Sequence, residues 1–262
     1  MQPDVKRALV LGGTGAVGRA VLGELARRGV PAVFGYHRAE DRARELVRDH
    51  GHTAFCVDLG DAEATRAALE AQATPSVVIH CAAISGAVTL GELDGRSPES
   101  PVGVESDPAG LAGGPGGKAP RGEDVASWQR VMAVNVQSAY QVCRWIAARG
   151  RPCDIVLVGG LDRAQSLPLP VHFAASQGAL SALVMAAAHE LGPRDIRVNL
   201  VALGVLNAGL SAGLAAGRRR DYEKFSALRR TGTPDEAAKV IVWLALENSY
   251  IQGKVIAANG GI

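Results

Sequence analysis

Short apolar runs recur along the chain at Lys6–Leu11, Ala32–Tyr36, Thr53–Val57, Ser76–His80, Asp154–Val158, Ile196–Ala202 and Lys254–Ala258. They show almost no polar alternation, as strands buried on both faces require. Between them, apolar residues return every three or four positions over Val17–Arg28, Ala39–Asp49, Ala62–Ala71, Val125–Ala148, Ala174–Leu191 and Asp235–Leu246. That period marks helices with a buried face. Strand and helix in regular alternation predict an α/β fold of Rossmann-like type: one doubly wound parallel sheet of about seven strands, with helices on both faces.

One segment breaks the pattern. Residues 86–122 are rich in Gly, Pro and Ser, with PESPVGVESDPAGLAGGPGGKAPRG at their centre. This composition supplies too little apolar surface to order itself. The segment leaves the carboxyl end of a central strand, where ligands bind in such sheets, so a surface insertion and a lid are both open readings. No other boundary or repeat interrupts a single domain over 1–262.

Composition narrows the function classes. The chain has 262 residues, 47% hydrophobic and 21% charged, with a net charge of +2. That balance suits a globular α/β domain and gives no support to nucleic-acid binding. The densest basic run is Arg218-Arg219-Arg220, read as solvated loop or helix surface, with a phosphate-bearing ligand as the alternative. Cys56, Cys81, Cys143 and Cys153 lack CxxC spacing and a neighbouring His pair, so reduced core cysteines are expected rather than disulfides or metal ligands. The first residues run into a strand without a signal-peptide pattern, and the apolar part of 178–188 is too short for a bilayer. A cytoplasmic protein with no membrane partner is the expectation.

Candidate chemistry begins at the first strand, which ends in Leu11-Gly12-Gly13-Thr14-Gly15-Ala16-Val17-Gly18 before a helix. Glycines here allow a tight turn and close backbone approach, and the helix N-terminus offers N–H groups to a pyrophosphate. Gly12, Thr14, Gly15, Val17 and Gly18 are the candidate cofactor contacts, with a relic turn that no longer binds a dinucleotide as the alternative. The second strand ends in Gly35-Tyr36-His37-Arg38, with no acid to take a ribose 2′-hydroxyl. His37 and Arg38 suit a 2′-phosphate instead, which favours NADP(H); a charged helix start is the alternative.

The stretch from His172 to Gly204, HFAASQGALSALVMAAAHELGPRDIRVNLVALG, resembles the catalytic helix and following strand of the short-chain dehydrogenase/reductase family. The tail TPDEAAKVIVWLALENSYIQGKVIAANGG resembles that family's β-ketoacyl-carrier-protein reductase branch, and the resemblance spans all but the insertion. It implies a Tyr-x-Ala-Ser-Lys motif where this chain has Phe173-Ala174-Ala175-Ser176-Gln177, and a Ser where it has Gly160. Residues four apart share a helix face, so Phe173 and Gln177 point into one space. Phe carries no transferable proton and Gln no charge, so the family's proton transfer is expected to be absent.

The resemblance also assigns Asp58 and Leu59, in CVDL, to the adenine ring. Ala82 and Ala83, in His80-Cys81-Ala82-Ala83, stand where the family has Asn-Asn-Ala-Gly and the backbone passes the cofactor. Leu11 and Ala16 depart from the family's Thr-Gly-x-x-x-Gly-x-Gly. Leu203-Gly204 stands for Pro-Gly, and Ala208 for a later Thr, so the nicotinamide end is the more altered. Asn135, in VMAVNVQSAY, matches an Asn that supports a water relay; stabilising a helix irregularity is the equal alternative. Asp162 and His172 are candidates for replacement catalysis, against a loop carboxylate and a helix-start histidine. His189 reads as an interface or core residue.

Three functions remain open. One is a non-redox, biosynthetic step on a hydrophobic small molecule: cyclisation, dehydration or isomerisation. Another is a non-catalytic nucleotide-binding module or the inactive partner of an active enzyme. The last is an NADPH-dependent reductase with a displaced proton donor. A homodimer or homotetramer is expected through the helices over 125–148 and 174–191, the elements that pair in the family.

Overall fold

The computed structural model describes residues 6–85, 121–160 and 169–262, without the side chains of 121–124. Seven strands form one sheet: β1 (Ala8–Leu11), β2 (Ala32–Tyr36), β3 (Thr53–Cys56), β4 (Val77–His80), β5 (Cys153–Gly159), β6 (Ile196–Leu203) and β7 (Val255–Ala258). Their order is β3-β2-β1-β4-β5-β6-β7, and every pairing is parallel. The strand sequence reverses between β1 and β4, which places a crevice outside their carboxyl ends.

Successive side chains of the strands sort onto two faces. Val10, Phe34, Ile79, Val156 and Val201 pack against α1 (Ala16–Arg27), α2 (Glu40–His50) and α8 (Pro234–Leu246) through Leu22, Leu25, Leu46 and Ile241. Leu9, Leu11, Val78, Ile155 and Leu157 face α3 (Ala62–Glu70), α5 (Ser138–Arg149) and α6 (Val171–Leu191), meeting Leu69, Val142, Ile146, Leu180 and Val184. Burying one such side chain contributes about 1.5–3 kcal/mol, so these two layers dominate the stability.

Polar residues fix where helices start. The Asp61 carboxylate accepts the N–H groups of Glu63 and Ala64 at the head of α3. At α8, the Thr233 hydroxyl accepts the Glu236 N–H while the Glu236 carboxylate accepts the Thr233 N–H, and Pro234 occupies the first turn. Such caps are worth about 1 kcal/mol each. The head of α1 has no side-chain cap.

Several sequence expectations need correction. The helix expected over 125–148 starts at Arg121 and is interrupted: α4 (Arg121–Met132) passes through a π turn at Ala133–Gln137 into α5. Asn135 sits in that turn and holds it from the side, as shown below. α6 begins at Val171 rather than Ala174 and runs 21 residues, long and apolar enough by length and composition to cross a membrane. The expectation read only its most apolar stretch; the apolarity serves the sheet, with Leu180, Val184, Ala187 and Leu191 in the core.

Arg218-Arg219-Arg220 lies in an unanticipated helix, α7 (Ala216–Phe225), whose one buried residue, Tyr222, gives too weak a periodicity to read. Cys143 and Cys153 are buried, but Cys56 is exposed at the edge strand β3 and Cys81 only half-buried. His189 is exposed, which removes its core reading. Of the 86–122 insertion, 121–122 belong to α4, and the rest lies outside the described residues, as does Asp162.

Candidate functional site

The β1–α1 turn is built to admit a backbone-bound anion. Gly12 has φ +77°, and a Cβ there would lie 2.7 Å from the Ala82 backbone nitrogen. A Cβ on Gly18 would lie 2.2 Å from the Gly12 carbonyl oxygen. Neither position accepts a side chain, because backbone opposes both. Gly13 donates to Gly35 O at 3.0 Å and Gly15 to Gly12 O at 3.1 Å, which fixes the turn. Gly15 then caps α1 with no side chain, and no acid occupies the first turn that contains Val17. The positive end of the helix is therefore left to an external anion, the arrangement a pyrophosphate requires.

Ala82 packs on Gly12 after the end of β4, with Ala83 half-buried beside it. The added methyl of Ala16 faces the segment after β6: a Cβ on Gly209 would lie 3.2 Å from Ala16 Cβ. Thr14 turns its carbonyl oxygen toward Arg42, whose Nη1 lies 3.5 Å away. Arg42 is a residue the sequence reading missed, because in EDRARE it looked like one more surface charge of a polar helix.

Beyond the turn, His37 and Arg38 are both exposed at the end of β2. Asp58 stands at the end of β3, with His37 Nε2 3.7 Å from its Oδ2. Leu59 packs beneath it on the α5 side. The same carboxylate is gripped from α4: Arg130 Nη2 donates to Oδ1 at 2.7 Å and Nη1 to Oδ2 at 3.0 Å. The Gly60 N–H also donates to Oδ1, at 2.8 Å. Burial works to raise the Asp58 carboxyl, but Arg130, the Gly60 N–H and His37 outweigh it and hold the group below its ordinary value. Arg130, a second missed residue, lay in a segment read only for its apolar face.

The corner at the end of β5 is filled rather than open. Gly160 lies under the Phe173 ring, so a Cβ at 160 would meet Phe173 Cζ at 2.9 Å. Gln177 is buried, and its Oε1 accepts the Gly160 N–H at 2.7 Å. Its Nε2 donates to Ser176 Oγ at 3.1 Å, and Asn135 Nδ2 donates to the same oxygen at 2.9 Å. The Ser176 hydroxyl donates to Phe173 O at 2.7 Å. Asn135 completes the arrangement by accepting the Ile84 N–H and donating to Ile84 O, both at 2.9 Å.

Both amide hydrogens of Asn135 are thus committed to protein partners, which gives this residue a structural task. His172 is buried in the first turn of α6 with its ring edge-on to Trp128 at 5.5 Å and its Nδ1 3.5 Å from Ser127 Oγ. Ser127 and Trp128 belong to α4. Below the crevice, His80 Nε2 lies 2.6 Å from Ser138 Oγ, and burial pushes its pKa down to about 4.

Comparisons with known proteins agree with this architecture. Residues 110–262 match the Enoyl-(Acyl carrier protein) reductase family, and residues 8–94 match the NAD dependent epimerase/dehydratase family. The cis-4-hydroxycyclohexanecarboxylate dehydrogenase of Sinomonas cyclohexanicum is 30% identical over 97% of this chain and 95% of its own length. The cyclic-di-GMP-binding biofilm dispersal mediator protein of Escherichia coli (strain K12) is 27% identical over 97% of this chain and 96% of its own. The 3-oxoacyl-[acyl-carrier-protein] reductase FabG of Chlamydia muridarum is 30% identical over 52% of this chain, a match spanning only 56% of that reductase.

Among solved structures, BdcA in complex with NADPH superposes with a TM-score of 0.76 at 23% identity, covering 98% of this chain and 94% of that one. The shared fold is the one expected. The nicotinamide-dependent family matched over the β1–α1 turn is consistent with NADP(H).

Proposed function

Because the chain belongs to the short-chain dehydrogenase/reductase family, we propose that it binds NADP(H) through the β1–α1 turn and the His37–Arg38 end of β2, without performing the family's carbonyl reduction. The turn fits the group: two glycines are closed to any side chain by opposing backbone, at the head of an uncapped helix. A bound nicotinamide cofactor supplies hydride chemistry. The protein's part in a reduction is the proton, and the Gly160–Phe173–Gln177 corner carries no group to move one.

The observation that carries this reading is the hydrogen-bonded circuit of Gly160, Gln177, Ser176 and Asn135. Its polar groups are committed to one another, and Phe173 covers the strand end. A crevice of this kind acts by holding and orienting a hydrophobic small molecule, which supports a non-redox biosynthetic step such as cyclisation, dehydration or isomerisation. A second reading, a non-catalytic nucleotide-binding module, is favoured by the same committed circuit and by the cyclic-di-GMP-binding relative. Displaced proton donation by His172 is the remaining reading; Ser127 and Trp128 of α4 stand against its ring. A cytoplasmic homodimer or homotetramer through α4–α5 and α6 completes the proposal.

The test pairs a fluorescence titration with NADPH and a turnover assay over simple ketones. Saturable NADPH binding without NADPH oxidation is expected. Turnover at rates ordinary for enzymes, about 1–10³ per second, overturns the loss of reduction, and absence of any NADPH binding overturns the cofactor.

A further inference from the structure

α7 is held to the rest of the molecule chiefly at one point. Tyr222 is its one buried residue, and the Tyr222 hydroxyl donates to Asn259 O at 2.6 Å. Just past the helix, the Ser226 hydroxyl donates to Gly260 O at 2.9 Å, and the Leu228 N–H donates to the same oxygen at 3.1 Å. The segment after β7 is therefore the anchor of α7. Gly204, just past β6, makes room for this knot: a Cβ there would lie 2.0 Å from Tyr222 Oη and 2.7 Å from Asn259 Cα.

Asn259 stands in a chemically labile context. Asparagine is among the thermolabile residues, and Asn259-Gly260 is the one Asn-Gly pair in the sequence. With no Cβ, Gly260 lets its backbone nitrogen approach the side chain before it. That N–H has no hydrogen-bond partner among the described residues, so it is not held away from reaction. Asn259 Oδ1 accepts the Gly261 N–H at 3.1 Å, which folds the amide back along its own chain and draws electron density from Cγ. Its Nδ2 donates to Ile262 O at 2.9 Å.

Asn248 supplies an internal contrast. Its Nδ2 donates to Ile251 O at 2.8 Å and its Oδ1 accepts the Tyr250 N–H at 3.1 Å, the same pattern, but Ser249 follows it.

We propose that Asn259 is a site of spontaneous deamidation, and that the reaction unties α7. The Gly260 nitrogen bonds to Asn259 Cγ and loses its proton, while Nδ2 departs as ammonia, leaving a cyclic imide. Water opens the ring at either carbonyl, to aspartate or to isoaspartate, so the sum is water taken up and ammonia released. Aspartate puts a negative charge where a donor stood, facing Ile262 O. Isoaspartate reroutes the main chain through Cβ and Cγ, which shifts the acceptors that Tyr222 and Ser226 use.

The experiment ages the full chain in mildly alkaline buffer, beside a sample aged in urea, and maps both by peptide mass. In the folded sample the peptide with Asn259-Gly260 should gain about 1 Da and accept a methyl group from an isoaspartyl methyltransferase, while the peptide with Asn248 keeps its mass. Brief trypsin treatment of the native protein should then cut at Arg218, Arg219, Arg220 and Lys224 about fivefold faster or more in the aged chain than in the fresh one, the loss of a single net hydrogen bond. Asn259→Asp, made directly, should open the same sites, which separates the knot from other effects of ageing. A folded chain that keeps its mass at 259–260 while the urea sample gains it overturns the site. Deamidation without faster cleavage of α7, in the aged chain and in the variant alike, overturns the untying.

Discussion

Gln177 Oε1 accepts the backbone N–H of Gly160 at 2.7 Å, which turns a helix side chain into the tie that closes the end of β5. Removing it leaves a half-buried donor without its protein partner, a loss of about 1 kcal/mol. Gln177→Leu should therefore lower Tm by a few degrees in a thermal melt, at about 2–4 °C per kcal/mol for a domain of this size. Gln177→Glu, which keeps an acceptor, should lose less. An unchanged Tm in the leucine variant counts against the tie.

Restoring the family's catalytic groups one at a time should fail. Gly160→Ser alone places a Cβ 2.9 Å from the Phe173 ring, an overpacking that costs about 1–3 kcal/mol. Phe173→Tyr with Gln177→Lys, without a hydroxyl at 160, should still not reduce ketones, because such groups act as a unit. NADPH oxidation by that double variant at an ordinary enzymatic rate contradicts this.

Between cofactors, NADP(H) should bind more tightly than NAD(H), with Arg38 as the phosphate partner and Arg42 behind it on α2. A charge-assisted hydrogen bond is worth about 1.5–3 kcal/mol, so Arg38→Ala should weaken NADPH about tenfold or more in calorimetry. NADH binding should hardly change. Equal affinities of the wild type for both cofactors refute this.

Stability should fall on mild acidification. His80 is fully buried beside Ser138, and its folded pKa of about 4 lies below the ordinary value near 6.5. Burial also lowers His52, which accepts the Ala32 N–H and lies against Leu22 O. The unfolded chain binds protons first, so the stabilisation from neutral His80 is complete above pH 6.5 and drains away toward pH 4. Its size is about 3 kcal/mol. Urea melts at pH 7.5 and 5 should show the drop, and His80→Gln should flatten it. A wild-type stability equal at both pH values rules this out.

Assembly is a further expectation about the wild type. On α6, Ala182, Met185, Ala186 and His189 are exposed, opposite the stripe that enters the core. Trp128 and Tyr140 are exposed on α4 and α5. A symmetric pairing would cover these apolar groups. Ala186→Arg or Ala182→Glu should shift light scattering toward monomer. A wild type that is monomeric at micromolar concentration defeats the idea.

The apolar period carried most of the fold, because strands buried on both faces leave little choice of residue: the boundaries of β2 match the sequence reading residue for residue. α7 buries only Tyr222, too little for a period to show, which is why it went unseen, whereas polar α2 was legible from its buried Ala43 and Leu46. Glycines were legible at the cofactor turn because backbone crowding at Gly12 and Gly18 excludes every alternative. Pairings between distant segments were not. Arg130 and Asp58 are 72 residues apart, Gln177 and Gly160 are 17, and nothing local to either partner announces the other.

The π turn at Ala133–Gln137 sets the register of the helix that follows it. One extra residue is wound into a helix there, and everything downstream is indexed to it: Ser138 under His80, and Val142 and Ile146 in the core. Without that extra residue regular winding would run straight from α4 into α5, and Asn135 would leave the position from which it reaches Ile84 and Ser176.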